Sequence, residues 1–181
     1  MHFMRDPFLE IVSAPIMSEI ADRGAPPRKV LVIGLGNPDR GDDGVGAIVA
    51  RGLAGRLPPD AVVKVRSGDL LSLIDDWDGF DAVVCIDAAA PAGVHGRISR
   101  LDLNSTELPR NLTLRSSHAW GLAEAIALGR SLQRAPRQII VYAIEGNSFD
   151  GGAALTPAAA AATHVVADRV VAEVGRLRSH P

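Results

Sequence analysis

One cysteine, Cys85, stands in 181 residues. A single thiol can form neither an internal disulfide nor a cysteine-built zinc site, and its use is compatible with a reducing compartment. Aromatic residues are scarce at 4%, so a core has to be assembled from Val, Ile, Leu and Ala. Charge of one sign is missing as well. The formal net charge is −2 at pH 7 and no basic run stands out, which argues against the clustered Lys and Arg of a nucleic-acid binder. No apolar stretch reaches the ~20 residues of a membrane-spanning helix. Near the start, Arg5, Asp6, Glu10, Glu19, Asp22 and Arg23 interrupt the apolar residues, too often for a signal peptide. The expectation is a cytosolic protein with no nucleic-acid and no membrane partner.

What the chain does have is apolar material, 47% of its residues, in a length that suits one domain. Residues 1–23 have weak helical character, which Gly24-Ala25-Pro26-Pro27 breaks; 1–28 read as a loosely attached N-terminal extension and 29–181 as the domain. Lys29–Gly34 is a short apolar run closed by glycine and reads as a central buried strand. Gly36–Gly41 is a loop by composition. Val45, Ile48, Val49, Leu53 and Leu57 then follow helical spacing, stopped by Pro58-Pro59-Asp60. Ala61–Val65 is a second strand, Leu70–Ile74 a short helix, and Phe80–Ile86 a third strand ending at Asp87. Gly96–Leu103 alternates like an edge strand. Ser117 can cap a helix from His118 to about Leu132, and Gln138–Ile144 is a further strand. Thr156-Pro157 opens the last helix, with Thr as cap and Pro at its first position; it runs to about Leu177. There is no internal repeat. This alternation predicts an α/β fold, a mostly parallel sheet with helices on both faces. Sites in such sheets form at the strand C-terminal ends, which gathers the loops after Ile33, Ile86 and Ile144.

Those loops hold the candidate chemistry. Gly34-Leu35-Gly36-Asn37-Pro38-Asp39 fails as a dinucleotide fingerprint because Asp39 replaces the third glycine and no P-loop lysine follows. The loop is acidic instead. In Gly41-Asp42-Asp43-Gly44-Val45-Gly46, Asp42 is expected to cap the helix that follows, leaving Asp43 to face elsewhere as an ionised ligand or base. Asp87 at a strand end is by itself an ordinary turn aspartate, and a histidine such as His118 is by itself ordinary surface chemistry. Together, two carboxylates and an imidazole on neighbouring site loops make a metal site with open coordination positions, suited to zinc, iron, manganese or nickel. Glu145 is a secondary candidate for lining the pocket. Cys85, two residues before Asp87, sits in an apolar run and is expected to pack as a small hydrophobe. Ser116, Ser117 and Ser148 lack a nucleophile-elbow pattern, and His95, His164 and His180 have no metal-ligand spacing among them.

Four segments in this order resemble the maturation proteases of nickel–iron hydrogenases: Val32–Pro38 running into Gly41–Gly46; Val83-Val84-Cys85-Ile86-Asp87-Ala88; Ser117-His118 with Gly121-Leu122 and Glu124; and Ile144-Glu145 with Leu155-Thr156-Pro157. The likeness spans about residues 29–177. It implies a three-layer α/β sandwich with a mostly parallel, twisted, five-stranded sheet. It also implies an endopeptidase that removes a C-terminal extension from the hydrogenase large-subunit precursor once nickel is in place. The family's acidic, acidic and histidine positions fall on Asp43, Asp87 and His118, which implies that they grip nickel carried by the substrate rather than a resident ion. The chain departs from the family in having Asp43 where Glu is common, and Ser67-Gly68-Asp69 where many relatives carry an acid and two glycines. Two rivals share features. A non-cleaving checkpoint factor that binds nickel or the loaded precursor would use the same residues. Peptidyl-tRNA hydrolases share the Gly-Leu-Gly-Asn-Pro start, but their following Arg-His-Asn is replaced here by Asp42-Asp43-Gly44, and the basic surface for tRNA is missing.

Overall fold

The computed structural model describes residues 28–67, 72–104 and 119–179. The expectations for the N-terminal extension, for the cap at Ser117 and for a helix start at Leu70 lie outside the described residues. Strands β1 (Val30–Leu35), β2 (Val62–Arg66), β3 (Ala82–Ala89), β4 (Ile98–Asp102) and β5 (Gln138–Glu145) form one sheet in the order β2-β1-β3-β5-β4. β2, β1, β3 and β5 run parallel, and β4 closes the far edge antiparallel to β5.

Helices cover both faces, and alternation along the strands decides which residues each covers. Val30 and Val32 of β1, Val84 and Ile86 of β3, and Ile140 and Ile144 of β5 pack against α1 (Val45–Gly52) and α4 (Pro157–Ser179). Leu31, Ile33, Val83, Cys85, Ile139 and Val141 point the other way. They meet α2 (Leu73–Asp76) and α3 (Ala119–Ser131), with Trp77 beside them. Strands β1 and β3 are buried along their whole length. That is why they read as continuous apolar runs rather than as alternating ones.

Among the boundaries that move from the sequence expectation are those of α1 and β3. α1 stops at Gly52, short of Leu57, although Leu53 and Leu57 still pack on the same core. Gly52 and the left-handed Gly55 (φ +71) break the helix while the apolar spacing continues beyond it. β3 does not end before Asp87. It pairs with β5 through Ala89↔Glu145, so Asp87 lies within the ladder, opposite Ala143.

Candidate functional site

β1 ends at Leu35, and the chain then turns at Gly36, whose φ of +107 is open to glycine. A Cβ there would also fall 1.8 Å from the Asp43 carbonyl oxygen. The turn runs through Asn37, whose side-chain oxygen accepts the Asp39 N–H at 2.9 Å, and into a 3-10 turn at Gly41–Gly44. Gly46, in the first turn of α1, would place a Cβ 2.2 Å from the Ile86 carbonyl oxygen and 2.4 Å from that of Leu35. The glycines of this stretch thus let the acidic turn and the helix start sit directly on the ends of β1 and β3.

Asp43 is 3% exposed. Its Oδ2 accepts the Asn37 N–H at 2.9 Å, while its Oδ1 is buried with no hydrogen-bond partner among the described residues. Asp87 is fully buried on β3, and its Oδ1 accepts the Ala88 N–H at 2.8 Å. The register Gly34↔Ile86 puts Asp87 one step beyond, level with Leu35. The structure therefore brings Asp43 and Asp87 to the same end of two neighbouring parallel strands, with the 3-10 turn packed on β3. Asp87 shares its strand face with Val83 and Cys85, the face on which α3 lies. His118, which precedes the first described residue of α3 in sequence, lies outside the described residues. Among the described residues, no group of three His, Cys, Asp or Glu side chains stands ready to hold a metal ion.

Asp42 corrects the sequence expectation. Neither the 3-10 turn nor α1 has a side-chain cap. The Asp42 carboxylate turns to the β5–α4 connection instead. Oδ2 accepts the N–H groups of Asn147 at 2.8 Å and Ser148 at 3.2 Å and the Thr156 hydroxyl at 3.0 Å; Oδ1 accepts the Thr156 N–H at 2.7 Å. Backbone bonds tighten the same seam, from Gly41 N–H to the Ala153 oxygen at 3.0 Å and from Asp42 N–H to the Ser148 oxygen at 2.7 Å. Thr156 meanwhile caps α4 as expected, its Oγ1 accepting the Ala159 N–H at 3.3 Å. Half of this seam is legible in the sequence, since Thr156-Pro157 marks a cap, but the carboxylate that Thr156 meets lies 114 residues away in the chain.

Glu145, at the end of β5, is 2% exposed. Burial pushes its carboxyl up, but the amides of Ala92 and Val94 and the charge of Arg97 outweigh that and hold it below the ordinary carboxylate range. It ties down the β3–β4 connection rather than facing an open pocket. Cys85 is fully buried. Its burial, with a smaller contribution from the Asp87 charge, pushes the thiol up to about 12, so it stays protonated and unreactive. His95 and His164 are exposed and on separate elements, and Ser148 spends its N–H on Asp42.

The HycI family model, a hydrogenase maturation protease, matches residues 65–173. No curated protein sequence matches the chain. Among solved structures, the chain resembles the hydrogenase maturating endopeptidase HybD from E. coli at 21% identity and a TM-score of 0.70, over 82% of this chain and 93% of that one. It resembles the [NiFe] hydrogenase maturation protease HybD from Thermococcus kodakarensis at 23% identity and a TM-score of 0.64, over 81% and 99%. A hydrogenase 2 maturation peptidase from a Thaumarchaeota archaeon matches at 25% identity and a TM-score of 0.62, over 82% and 99%. At these identities the first two structures speak to fold.

Proposed function

This chain belongs to the hydrogenase maturation protease family, and from that premise we propose that it is the endopeptidase that trims the C-terminal extension from a nickel-loaded [NiFe]-hydrogenase large-subunit precursor. Asp43, Asp87 and His118 grip the nickel that the precursor carries. The observation that supports this most is the buried Asp43 Oδ1, which has no hydrogen-bond partner among the described residues. A buried carboxylate oxygen left unsatisfied costs roughly 1–3 kcal/mol or more, a cost that a docked cation removes. The carboxylate sits at the strand C-terminal edge, where α/β folds place their sites.

In this mechanism the precursor's own nickel fixes the scissile bond beside the strand ends, so that attack becomes effectively intramolecular. Asp43 then acts as the general base on an attacking water. Asp87, buried in the β3–β5 ladder, holds a fixed charge toward the docked substrate, and Asp42 keeps the acidic turn in place. Neither Cys85, pushed up to about 12, nor a serine serves as nucleophile, so no acyl-enzyme forms. On this reading the chain is an aspartic, metal-assisted peptidase that acts in the cytoplasm. Among the described residues no helix is long and apolar enough to cross a membrane.

The test is direct. Purified protein is incubated with nickel-loaded precursor, and the shortened subunit is sought by mass spectrometry. Loss of a defined C-terminal peptide is the expected result. Tight retention of an uncut precursor would move the chain to the checkpoint reading, and neither cutting nor retention would end both.

A further inference from the structure

The connection from β3 to β4 has to pass the end of β5, because β5 lies between them in the sheet. Its residues 91–95, Pro91-Ala92-Gly93-Val94-His95, are all exposed. Val94, 58% exposed, is the most exposed large hydrophobic side chain among the described residues. A lone exposed valine on a loose loop would mean little, but this arch is held from below. The buried Glu145 accepts the Ala92 N–H at 2.5 Å and the Val94 N–H at 2.8 Å through Oε1, and its Oε2 stands 3.1 Å from the Arg97 guanidinium. The backbone closes the same knot, with Gly96 N–H donating to the Glu145 oxygen at 2.7 Å and Glu145 N–H to the Arg97 oxygen at 2.9 Å. With those amides used internally, residues 91–94 present the apolar side chains of Pro91, Ala92 and Val94 on a preorganised backbone, the exposed imidazole of His95 stands at their end, and no carboxylate, lysine or arginine lies among 91–95.

The arch is also continuous with the proposed site. Gly146, next to Glu145, donates its N–H at 2.9 Å to the oxygen of Ala89, two residues beyond Asp87. A Cβ on Gly146 would fall 2.8 Å from the Cβ of Asp42. A substrate chain reaching the strand ends meets this rim, and a loop already fixed loses little freedom when it is covered.

We propose that residues 91–95 form the docking rim for the hydrogenase precursor, with Val94 packing on an apolar, uncharged stretch of the chain that flanks the scissile bond, and with Glu145 as the residue that positions the rim. The proposal rests on the function given above. It assigns Glu145 no contact with the reacting atoms: Glu145 acts through the arch.

Wild type, Val94→Ala, Val94→Asp, Glu145→Ala and the Val94→Asp/Glu145→Ala double variant are compared on nickel-loaded precursor, with KM and kcat read separately and retention of the precursor measured on immobilised protein. Val94→Asp is expected to raise KM about ten-fold, because it sets a carboxylate against an apolar stretch of substrate where it finds no hydrogen-bonding partner. Its kcat should stay within about two-fold of wild type and its melting temperature should hold, since an exposed side chain is changed. Val94→Ala should raise KM by a few-fold. Glu145→Ala should raise KM as well, and adding Val94→Asp to it should cost little more, because both act on one rim. A wild-type KM for Val94→Asp, or a fall in its kcat at unchanged KM, overturns the rim. Should Glu145→Ala fail to fold, Val94→Asp decides alone. A wild-type protein that neither shortens nor retains the precursor defeats the function itself, an outcome distinct from a rim variant that behaves as wild type.

Discussion

Two buried acids in this molecule have nearly equal exposure and opposite surroundings. Glu173, on α4, is 6% exposed and Asp43, in the acidic turn, is 3%. Glu173 is saturated: Arg100 donates from Nε at 2.7 Å and from a terminal nitrogen at 3.0 Å, the Tyr142 hydroxyl at 2.9 Å, and Arg176 Nε at 2.9 Å. Burial pushes the Glu173 carboxyl up, but these donors pull it down to about 2, and the same contact, after burial, helps to push Tyr142 up to about 12. Among the described residues Asp43 has one backbone amide on one oxygen and no hydrogen-bond partner on the other. A network as complete as that of Glu173 holds α4 to the sheet and has no capacity left for a ligand. An acid left as incomplete as Asp43 is among the described residues is costly to bury and stays open to a further partner. Asp42, next to it, belongs with Glu173: four donors fill it.

The largest effects expected from this contrast are on activity, at Asp43. Asp43→Ala should cut precursor processing by about 10³-fold or more, the scale on which a general base and its electrostatics act. Stability should change by no more than about 1 kcal/mol, because one hydrogen bond is lost while one unsatisfied buried oxygen is removed. Asp87→Ala and His118→Ala should abolish processing likewise. Time courses of subunit shortening, paired with thermal melts, separate the two quantities. Wild-type processing by any two of these variants would refute the assignment.

Asp42 should lose both. Asp42→Ala strands the N–H groups of Asn147, Ser148 and Thr156, and detaches the β5–α4 connection from the acidic turn. About 3 kcal/mol or more of stability should go, with processing falling as Asp43 loses its support. An unchanged urea midpoint would show that the seam holds without its carboxylate.

Glu173 should lose stability alone. Glu173→Gln leaves the Arg100 and Arg176 guanidiniums short of their charge partner and should cost about 2–3 kcal/mol at pH 7, with processing intact below the melting transition. The pH dependence has a definite sign. The folded carboxyl titrates at about 2 against 4.5 ordinarily, so folding favours its charged form. That contribution is complete above pH 4.5 and declines as pH falls from 4.5 toward about 2. Urea midpoints from pH 6 to 2 should fall more steeply for wild type than for Glu173→Gln; parallel curves would remove Glu173 from the acid limb.

Legibility in the sequence followed the range of the forces involved. The parallel strands were readable because Leu31-Val32-Ile33 and Val83-Val84-Cys85-Ile86 are buried on both faces and so apolar throughout. The edge strand at Ile98–Asp102 is legible from its mixture of apolar and polar residues, although burial does not alternate along it: Ile98 packs on one core and Leu101 on the other. The Thr156 cap was readable because its acceptor role is local. The destination of Asp42 was not, since its donors lie more than a hundred residues away and nothing near Gly41 signals them. Asp43 stands out in the sequence because Asp42 is assigned to the helix cap, an assignment the structure overturns, and the oxygen of Asp43 left without a partner among the described residues is a property of packing that spacing cannot carry. Glu145 was placed at a strand end correctly, yet its partners, Ala92 and Val94, are backbone amides, and a backbone amide has no sequence signature at all.

The smallest expected effect falls on Cys85, and it sharpens the contrast by testing a buried group that should do neither job. Cys85 has no surface exposure and sits in the core with Val83, Leu122, Ala125 and Val141. A nucleophilic thiol would need access and a lowered pKa; burial, helped by the Asp87 charge, pushes this one up to about 12 instead. Cys85→Ala should therefore retain processing and lose about 1 kcal/mol through a small cavity. Alkylating reagents should leave processing unchanged under native conditions and label the thiol only in urea. The linkage runs opposite to that of Glu173. The folded state holds the thiol protonated to about pH 12 while the unfolded thiol ionises from about pH 9, so rising pH favours the unfolded state: the wild type should lose stability over that range and Cys85→Ala should lose less. A thioester trapped on the wild-type protein, together with a well-folded Cys85→Ala that no longer cuts, would replace the carboxylate mechanism with a thiol one and make Asp43 the supporting acid.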